Sequence, residues 1–413
     1  MHFSNYMVFS GQINLFQVLN MKIALLCDYL EYGGAEVYAH NLVEILMSHN
    51  LDVVCFYFQG SFEGTYDKEI YKKIKANRLE NKIGCFVGIE RLSKVVKKAL
   101  DEFRPDVIIL NSEYKYFYSV RKAIKNYRVV NIVHDYRMIC HNGNCTYPDY
   151  GLCAGFKSGD CYIKCHEGFS YIHIWLKLFN AKRMERIDQK LVALNIAPSM
   201  ALAGKCKAYG YNSICINNPL KYQKEKQIPI EEKQDFLYIG RINRDKGILD
   251  FAKTFIRYND ARNPKTKLII YGAIEEGFEE KLEEICKNPY IIYKGTLRHD
   301  EVLEKMQKAY SVVVPSLWVE NYPTVVLEAM VSGTVVVGAM RGGIIEMLSE
   351  DRGVLYDPLD EDEVIVALEE ISSLSEEKYM KIVGRAKDYV NAHNHPEIYW
   401  KNIRDALQSI MSN

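Results

Sequence analysis

The sequence predicts an α/β fold with two doubly wound domains, each a parallel sheet covered by helices. The chain has 413 residues, which is long for one domain and suits two domains of about 150 to 200 residues. Short apolar runs alternate along it with helical stretches, a pattern typical of parallel sheets. Lys221 to Asp235 is dense in charge and contains a proline, so we place the domain boundary there.

The composition is that of a soluble globular protein. Hydrophobic residues make up 48% of the chain and charged residues 26%. Lys and Arg together number 53, as do Asp and Glu, so net charge gives no argument for a nucleic-acid partner. No apolar run reaches the roughly 20 residues that a membrane-spanning helix needs.

The start of the chain lacks the pattern of a signal peptide. Residues 1–20 have no basic start, long apolar core or small-residue cleavage site. We therefore expect a flexible extension there, with the domain beginning at Met21. A cytoplasmic location follows as the expectation, and cysteines in that compartment are mostly thiols or ligands.

The predicted N-terminal domain, residues 21–220, begins with a buried strand from Lys22 to Cys27. The adjacent Gly33 and Gly34 then lead into a helix from Val37 to His49. Two glycines let the backbone approach a ligand closely, although a Gly-Gly pair alone is more often merely a turn. Further predicted elements are strands at 53–58, 107–110, 129–133, 191–197 and 214–216 and a helix at 91–103.

Two segments of this domain combine aromatic with basic residues. They are Tyr114 to Arg128, and Phe169 to Phe179 followed by Lys182, Arg183 and Arg186. Each has the composition of a helix that lies on an anionic membrane surface. Two alternatives stay open: a solvated helix with an aromatic core face for the first segment, and a helix buried in the domain for the second.

Five cysteines fall in one loop rich in Gly, Asp and Asn: Cys140, Cys145, Cys153, Cys161 and Cys165. Their spacing is not the paired C-x2-C arrangement of a zinc ribbon. A structural zinc site is one interpretation of this cluster. Reduced thiols, or a disulfide bridge formed on oxidation, are the alternatives.

The predicted C-terminal domain, residues 236–392, repeats the alternation of strands and helices. Its predicted strands are 236–239, 267–271, 290–293, 312–314, 334–337 and 353–356. Helices are predicted at 360–374 and 376–392, and a last helix lies at 398–411 within a separate C-terminal segment, residues 393–413.

The stretch from Tyr310 to Glu346 concentrates the candidate chemistry. A strand, a loop with Glu320, a helix containing Glu328 and a second strand form a βαβ unit, which binds ligands at the carboxyl ends of its strands. An anion such as Glu328 near a helix start suits a neutral polyol, for example a ribose. The backbone amides of the segment Asn321, Tyr322, Pro323 and Thr324 are placed to take a phosphate. Any single Glu is more often a solvated surface residue.

The spacing of Glu320 and Glu328 resembles the E-x7-E motif of retaining nucleotide-sugar glycosyltransferases with the GT-B fold, especially family 4. Gly240-Arg241 and Asp245-Lys246-Gly247 are similar to the phosphate-binding segment of that family. Gly33-Gly34-Ala35-Glu36 is similar to its first glycine-rich turn. The resemblance covers most of residues 21–390, with the motifs in the same order.

The resemblance implies two Rossmann-like domains with a cleft between them and a UDP- or GDP-sugar as donor. Arg241 and Lys246 would clamp the donor phosphates. Glu328 would bind the ribose and Glu320 would orient the sugar. His134, which follows a predicted strand, would face the donor sugar and the acceptor. Gly33 and Gly34 would approach the sugar from the N-terminal domain.

The family also implies a reaction that retains anomeric configuration by front-face attack, with the β-phosphate accepting the acceptor's proton. No cofactor is expected for catalysis, and the chain has no Asp-x-Asp in a suitable loop for a divalent cation. The expected acceptor is a saccharide or a lipid-linked saccharide in surface polysaccharide synthesis, with the protein peripheral on the inner face of the membrane. A GT-B sugar-nucleotide epimerase and a non-catalytic sugar-nucleotide-binding protein are the alternatives.

Overall fold

A computed structural model describes residues 21–30, 34–60, 68–111, 113–140, 142–153, 164–165, 168, 170–221, 228–262 and 265–412. The predicted extension at 1–20, Gly33, Cys161 and Phe169 lie outside these described residues. The chain divides into two compact units. The first comprises 1–132, 187–194 and 400–413, and the second comprises 133–186 and 195–399.

The first sheet contains seven strands. They are β1 (Lys22–Tyr29), β2 (Asp52–Gln59), β3 (Tyr71–Lys73), β4 (Val107–Asn111), β5 (Arg128–Ile132), β6 (Leu194–Ala197) and β7 (Ser213–Cys215). Their order in the sheet is β3-β2-β1-β4-β5-β6-β7. Strand β1 pairs in parallel with both β2 and β4, and it is buried along six consecutive residues. The first five of these, Ile23 to Cys27, are apolar, as a strand in a sheet covered on both faces requires.

Six helices accompany these strands in the described part of the chain. They are α1 (Gly34–Ser48), α2 (Arg78–Ile83), α3 (Glu90–Phe103), α4 (Phe117–Ile124), α5 (Tyr171–Leu191) and α6 (Met200–Ala208). The strand predicted at 191–197 is shorter in the structure, because the amide of Val192 still donates to the carbonyl of Asp188 at 2.9 Å as in a helix. Strand β3 was not predicted. It has only three residues, and of these only Tyr71 is buried, so no apolar run indicates it.

Helix α4 corrects the membrane interpretation of Tyr114 to Arg128. The rings of Tyr116 and Phe117 are fully buried, and Arg121 is buried beside them. The Arg121 guanidinium donates to Asp188 with Nε–Oδ1 2.8 Å and also to Glu113. A bilayer cannot reach these groups, so the prediction of a membrane contact from this segment was wrong. The alternative, a helix with an aromatic core face, is the observed arrangement.

The second sheet has six strands. They are β8 (Gln234–Ile239), β9 (Leu268–Tyr271), β10 (Ile291–Tyr293), β11 (Ala309–Val314), β12 (Val335–Ala339) and β13 (Val354–Tyr356). All pairings are parallel, and the order is β10-β9-β8-β11-β12-β13. The chain winds outward from β8 to β10 and then crosses back to β11. The direction of winding therefore reverses between β8 and β11, the position at which such sheets bind ligands.

Helices cover both faces of this sheet, as the sequence predicts. Val335 and Val337 pack into one core cluster and Val336 into the other, because successive side chains of a strand point to opposite faces. The helices after β7 in the described ranges are α7 (Ile248–Asp260), α8 (Glu279–Ile285), α9 (His299–Lys308), α10 (Thr324–Val331), α11 (Gly343–Leu348), α12 (Glu361–Ser372), α13 (Glu376–His393) and α14 (Pro396–Met411). The predicted α/β architecture of two parallel sheets is confirmed.

Candidate functional site

Two loops meet where the winding of the second sheet reverses. The first follows β8 and the second follows β11. The carbonyl of Asp245 accepts from the amide of Leu317 at 2.8 Å, which joins the two loops. Gly247 has φ +67°, and a Cβ there would lie 2.1 Å from the carbonyl oxygen of Pro315. Only glycine allows this close approach, so the two loops form one unit.

Lys246 and Glu320 form an ion pair across these loops, with Nζ–Oε1 2.6 Å. The hydroxyl of Ser316 donates to the same carboxylate oxygen at 2.6 Å, and Lys246 also lies over the ring of Trp318 at 5.1 Å. Burial by itself would raise the pKa of Glu320, but the neighbouring ammonium and these hydrogen bonds lower it below the ordinary value. Glu320 is therefore an ionised and oriented carboxylate inside the protein.

A third loop, after β12, fixes the backbone of Glu320. The amide of Gly343 donates to the Glu320 carbonyl at 2.8 Å. A Cβ on Gly342, which has φ +56°, would lie 2.0 Å from that same oxygen. Buried Arg341 donates from Nε to the carbonyl of Leu317 at 3.1 Å. The loop that carries Glu320 is thus held from both sides.

Glu328, the second carboxylate of the predicted pair, lies on α10, and its side-chain carboxylate makes no hydrogen bond or ion pair with any described residue. Burial raises its pKa to about 7. No neighbouring cation offsets the burial, in contrast to Glu320 with its Lys246. The carboxylate of Glu328 can therefore accept hydrogen bonds from a ligand. Its charge changes close to neutral pH.

The segment before α10 supplies fewer amides than predicted. Pro323 has no N–H, so it cannot donate to a phosphate, and the candidate donors are Asn321, Tyr322 and Thr324. Helix α10 has no side-chain cap at its start. The Tyr322 ring is buried, and its hydroxyl is hydrogen-bonded to Asn394, with Tyr322 Oη–Asn394 Oδ1 3.3 Å. Its side chain therefore anchors the loop, and any contact with a ligand would come from its backbone.

His134 follows β5 and is tied to the Glu320 loop through Asn321, whose side-chain amide donates to the His134 carbonyl. Burial lowers the pKa of His134 to about 3, and the positive charge of Arg137 contributes in the same direction. The imidazole is consequently neutral at physiological pH. It can hydrogen-bond a sugar but does not carry a proton as an imidazolium.

Arg241 and Gly34 are less constrained by the fold than the other candidates. The Arg241 side chain is exposed and makes no ion pair with a described residue, while its carbonyl accepts from the hydroxyl of Tyr238 at 2.6 Å. Gly34 begins α1 in the first unit, and a Cβ there would meet no described atom within 4 Å. The structure therefore brings together Lys246, Glu320 and their loop. It leaves the roles of Arg241 and Gly34 as predictions.

Cys140 and Cys145, in the described part of this loop, are free thiols. The amide of Cys145 donates to the sulfur of Cys140 at 3.4 Å, and the amide of Cys153 donates to the Cys145 carbonyl. The thiol of Cys145 and nearby amides lower the pKa of Cys140 to about 6 against the effect of burial. Within the described ranges no three His, Cys, Asp or Glu side chains group to hold a metal ion. These residues by themselves do not fit a zinc site, so the zinc interpretation gains no support.

Tyr150 is a residue that the sequence interpretation missed. Its hydroxyl donates to Asp245 with Oη–Oδ1 2.7 Å, and its ring lies under the guanidinium of Arg244 at 5.2 Å. It comes from the same loop as the cysteines, 95 positions before Asp245. Nothing in a single sequence indicates a contact at that separation. Tyr150 holds the side of the loop that presents Lys246.

Replacing Tyr150 with Phe is expected to weaken binding of the ligand that the sequence predicts, a nucleotide sugar, about fivefold, because it removes one hydrogen bond, worth about 1 kcal/mol, from the Lys246 loop. Tyr150→Ala removes the ring under Arg244 as well and should weaken binding further. Isothermal titration of both variants measures the two steps. Equal affinity in wild type and Tyr150→Phe would mean that the Asp245 contact has no part in positioning the loop.

These features define the class of protein: it has the GT-B fold of two parallel α/β sheets. The second sheet carries a cation–carboxylate site between β8 and β11, where the direction of winding reverses. The family described as "Glycosyltransferase Family 4" matches residues 32–219, and "Glycosyl transferases group 1" matches residues 221–389. The two matches adjoin and together take in most of the chain. Each half of the chain therefore matches a glycosyltransferase family model.

Individual relatives agree with this assignment. Sulfoquinovosyl transferase SQD2 of Arabidopsis thaliana is 29% identical over 41% of this chain and 33% of its own length. Lipopolysaccharide 1,2-N-acetylglucosaminetransferase of Salmonella typhimurium is 26% identical over 48% of this chain and 52% of its own. The chain thus spans a third to about half of these relatives. The structure of Anabaena Alr3699/HepE in complex with UDP-glucose has a TM-score of 0.69 at 17% identity, covering 94% of this chain and 100% of that one, so it supports the fold.

Proposed function

We propose that the protein is a retaining glycosyltransferase that moves a sugar from a nucleotide-sugar donor to a saccharide or lipid-linked saccharide. The observation that carries this proposal is the ion pair of Lys246 and Glu320 on the joined loops, with the unpartnered Glu328 on the helix that follows. A nucleotide sugar offers a pyrophosphate, a sugar and a ribose. Lys246 would bind the pyrophosphate, Glu320 the sugar and Glu328 the ribose.

In this mechanism Lys246 and Arg241 stabilise the negative charge that develops on the leaving pyrophosphate. An ammonium group has three donors. Lys246 can therefore bind a phosphate oxygen while it keeps its hydrogen bond to Glu320 at 2.6 Å. The amides of Asn321 and Thr324 add donors at the start of α10.

Glu328 is proposed to accept hydrogen bonds from the ribose hydroxyls, and Glu320 to hold the hydroxyls of the donor sugar. The neutral imidazole of His134 would hydrogen-bond the transferred sugar near the acceptor. Gly33 and Gly34 would let the backbone approach that sugar. No side chain is assigned as the base, because in front-face attack the departing β-phosphate takes the acceptor's proton.

The donor is proposed to be a UDP-sugar, with a GDP-sugar as the second choice. The structural relative crystallised with UDP-glucose favours the first. One relative is named for lipopolysaccharide and another for a sulfoquinovosyl transfer, which favours a surface glycan or glycolipid as product. A cytoplasmic protein at the inner face of the membrane fits an acceptor on a lipid carrier.

A panel of UDP- and GDP-sugars tests the proposal by thermal shift and by release of nucleoside diphosphate. We expect one sugar nucleotide to raise the melting temperature and to be slowly hydrolysed without acceptor. Glu320→Gln keeps the size of the side chain, and it should reduce hydrolysis by about 100-fold or more. If no member of the panel binds or is hydrolysed, the proposal is wrong.

The alternatives give different products. An epimerase would isomerise the nucleotide sugar itself, and a binding protein would shift the melting temperature without turnover. Proton NMR of the reaction distinguishes these outcomes, since a retaining transferase gives a glycoside with the donor's anomeric configuration. An inverted anomeric proton would contradict retention while leaving glycosyl transfer intact.

The affinity for a UDP-sugar is expected to rise between pH 6 and pH 8. The pKa of Glu328 is raised to about 7 in the unliganded site. At one pH unit below this value only about a tenth of the side chain is ionised, so the strong acceptor form is scarce at pH 6 and predominates at pH 8. A change of up to about tenfold follows if ribose binds the ionised form alone.

Titration calorimetry with wild type and Glu328→Gln measures this dependence. The amide cannot ionise, so the variant should bind more weakly than wild type at pH 8 and with nearly constant affinity over the interval. A wild-type affinity that falls as pH rises would contradict the assignment of Glu328 to the ribose.

A further inference from the structure

Helix α5 begins with a group of large apolar side chains that the fold leaves exposed. Tyr171 is 83% exposed and Trp175 60%, and the others are Ile172, Leu176 and Phe179. The predicted alternative for this segment, a helix buried in its own domain, is therefore wrong. Single exposed apolar residues are common on protein surfaces, but a contiguous group of five on one helix indicates an interaction site.

The five residues form one face of the helix. A helix turns about 100° per residue, so Tyr171, Trp175 and Phe179 stand nearly above one another, with Ile172 and Leu176 beside them. The rings of Trp175 and Phe179 stack, with their centroids 5.6 Å apart. This apolar face extends for about 12 Å along the axis, at 1.5 Å per residue.

The same face continues as a basic surface. Lys182, Arg183 and Arg186 are exposed and fall within the same arc of about 140° as the apolar group. One face of α5 is therefore apolar in the N-terminal half of the helix and cationic in the C-terminal half. The apolar and basic side chains follow one another along the same face and do not lie on opposite faces. We call this face the α5 surface.

Charge decides what covers this surface. A second copy of the chain packed on it in parallel would place the two basic halves together. Packed antiparallel, it would place each basic half on an apolar half, so in neither arrangement does the α5 surface of the second copy supply anions to the basic half. An anionic bilayer matches both halves, since aromatic and aliphatic side chains enter the boundary with the acyl chains and Lys and Arg meet the phosphates.

We propose that the α5 surface docks the protein on an anionic lipid bilayer, with Tyr171 to Phe179 inserted at the interface and the three basic residues on the headgroups. Within the described residues no helix is long and apolar enough to cross a membrane, and this docking does not need one. The proposal goes beyond glycosyl transfer, because it assigns a surface and a partner and would hold for any acceptor.

Sedimentation with vesicles tests it directly. Full-length protein should sediment with vesicles of phosphatidylglycerol and phosphatidylcholine at low salt, weakly with phosphatidylcholine alone, and progressively less as salt rises. Trp175→Ser should weaken binding about tenfold by removing the largest inserted side chain. The triple variant Lys182→Gln, Arg183→Gln, Arg186→Gln should remove the preference for anionic vesicles.

Matched controls separate this surface from general effects. Val366, 60% exposed on α12, serves for the apolar change as Val366→Ser. The triple variant Lys94→Gln, Lys97→Gln, Lys98→Gln on α3 makes the same change in net charge at exposed positions. Both controls should bind vesicles as wild type does.

Three results would overturn the proposal. One is an absence of binding to anionic vesicles, and another is an equal loss of binding in the α3 control. The third is a pair of results for Trp175→Ser: its melting temperature falls strongly, and it does not bind vesicles. That would mean that the protein's own chain covers this residue. Nucleotide binding at Lys246 is measured without vesicles, so failure of docking and failure of the proposed function are distinguishable.

Discussion

Replacing Lys246 with Ala is expected to weaken binding of the nucleoside diphosphate by about 1.5 to 3 kcal/mol, or about 10- to 150-fold. The loss arises because one charge-assisted hydrogen bond to a phosphate oxygen disappears. Glu320, 7% exposed, also loses its cation at 2.6 Å. The pKa of Glu320 should then rise, since the ammonium group no longer counteracts the effect of burial. Arg241→Ala should weaken binding in the same direction.

Titration calorimetry with nucleoside diphosphate measures both variants. Lys253→Ala is the matched control, because Lys253 lies on α7, directly after the same loop, and is 66% exposed beside Asp250. It should bind as wild type does. Wild-type affinity in both Lys246→Ala and Arg241→Ala would contradict the phosphate clamp.

Replacing Arg121 with Met is expected to lower the free energy of unfolding by about 3 to 5 kcal/mol. The guanidinium lies between Asp188 and Glu113, and the three side chains are 3%, 7% and 0% exposed. Methionine has a similar length but no charge, so it leaves buried carboxyl groups without a cation. Burial already raises the pKa of Glu113 to about 8 despite Arg121, which indicates how little solvent these groups receive.

Urea denaturation followed by circular dichroism measures this change. Lys122→Met is the control on the same helix. Lys122 forms an ion pair with Glu90, and both side chains are more than half exposed. Such surface pairs contribute little, so the control should unfold near the wild-type midpoint. Equal midpoints for Arg121→Met and Lys122→Met would mean that the buried carboxyl groups find other partners.

The alternation of short apolar runs with helical stretches was sufficient to predict the two parallel sheets. Each predicted strand from Lys22 to Tyr356 appears near its expected bounds, because a strand covered on both faces must be continuously apolar. The exception, β3, is an edge strand of three residues. Such a strand buries too little to leave a pattern in the sequence.

The sequence was sufficient to predict the candidate residues of the site, but not which of their carboxyl groups are ionised. The sequence predicted that Glu320 lies on a loop after a strand and that Glu328 lies on the helix that follows. Their opposite pKa shifts were not predictable, because the shifts depend on whether a cation lies alongside, and Lys246 is 74 positions away. The bond between Tyr150 and Asp245 could not be predicted for the same reason.

Only the tertiary structure distinguished the two aromatic and basic segments. Tyr114 to Arg128 and Phe169 to Phe179 have similar compositions, and both suit a membrane surface or a protein interior. The sequence determined that each carries a helix with aromatic and cationic groups. Packing then decided that Phe117 is buried and Trp175 is exposed. Burial is a property of what surrounds a helix, and distant parts of the chain supply those surroundings.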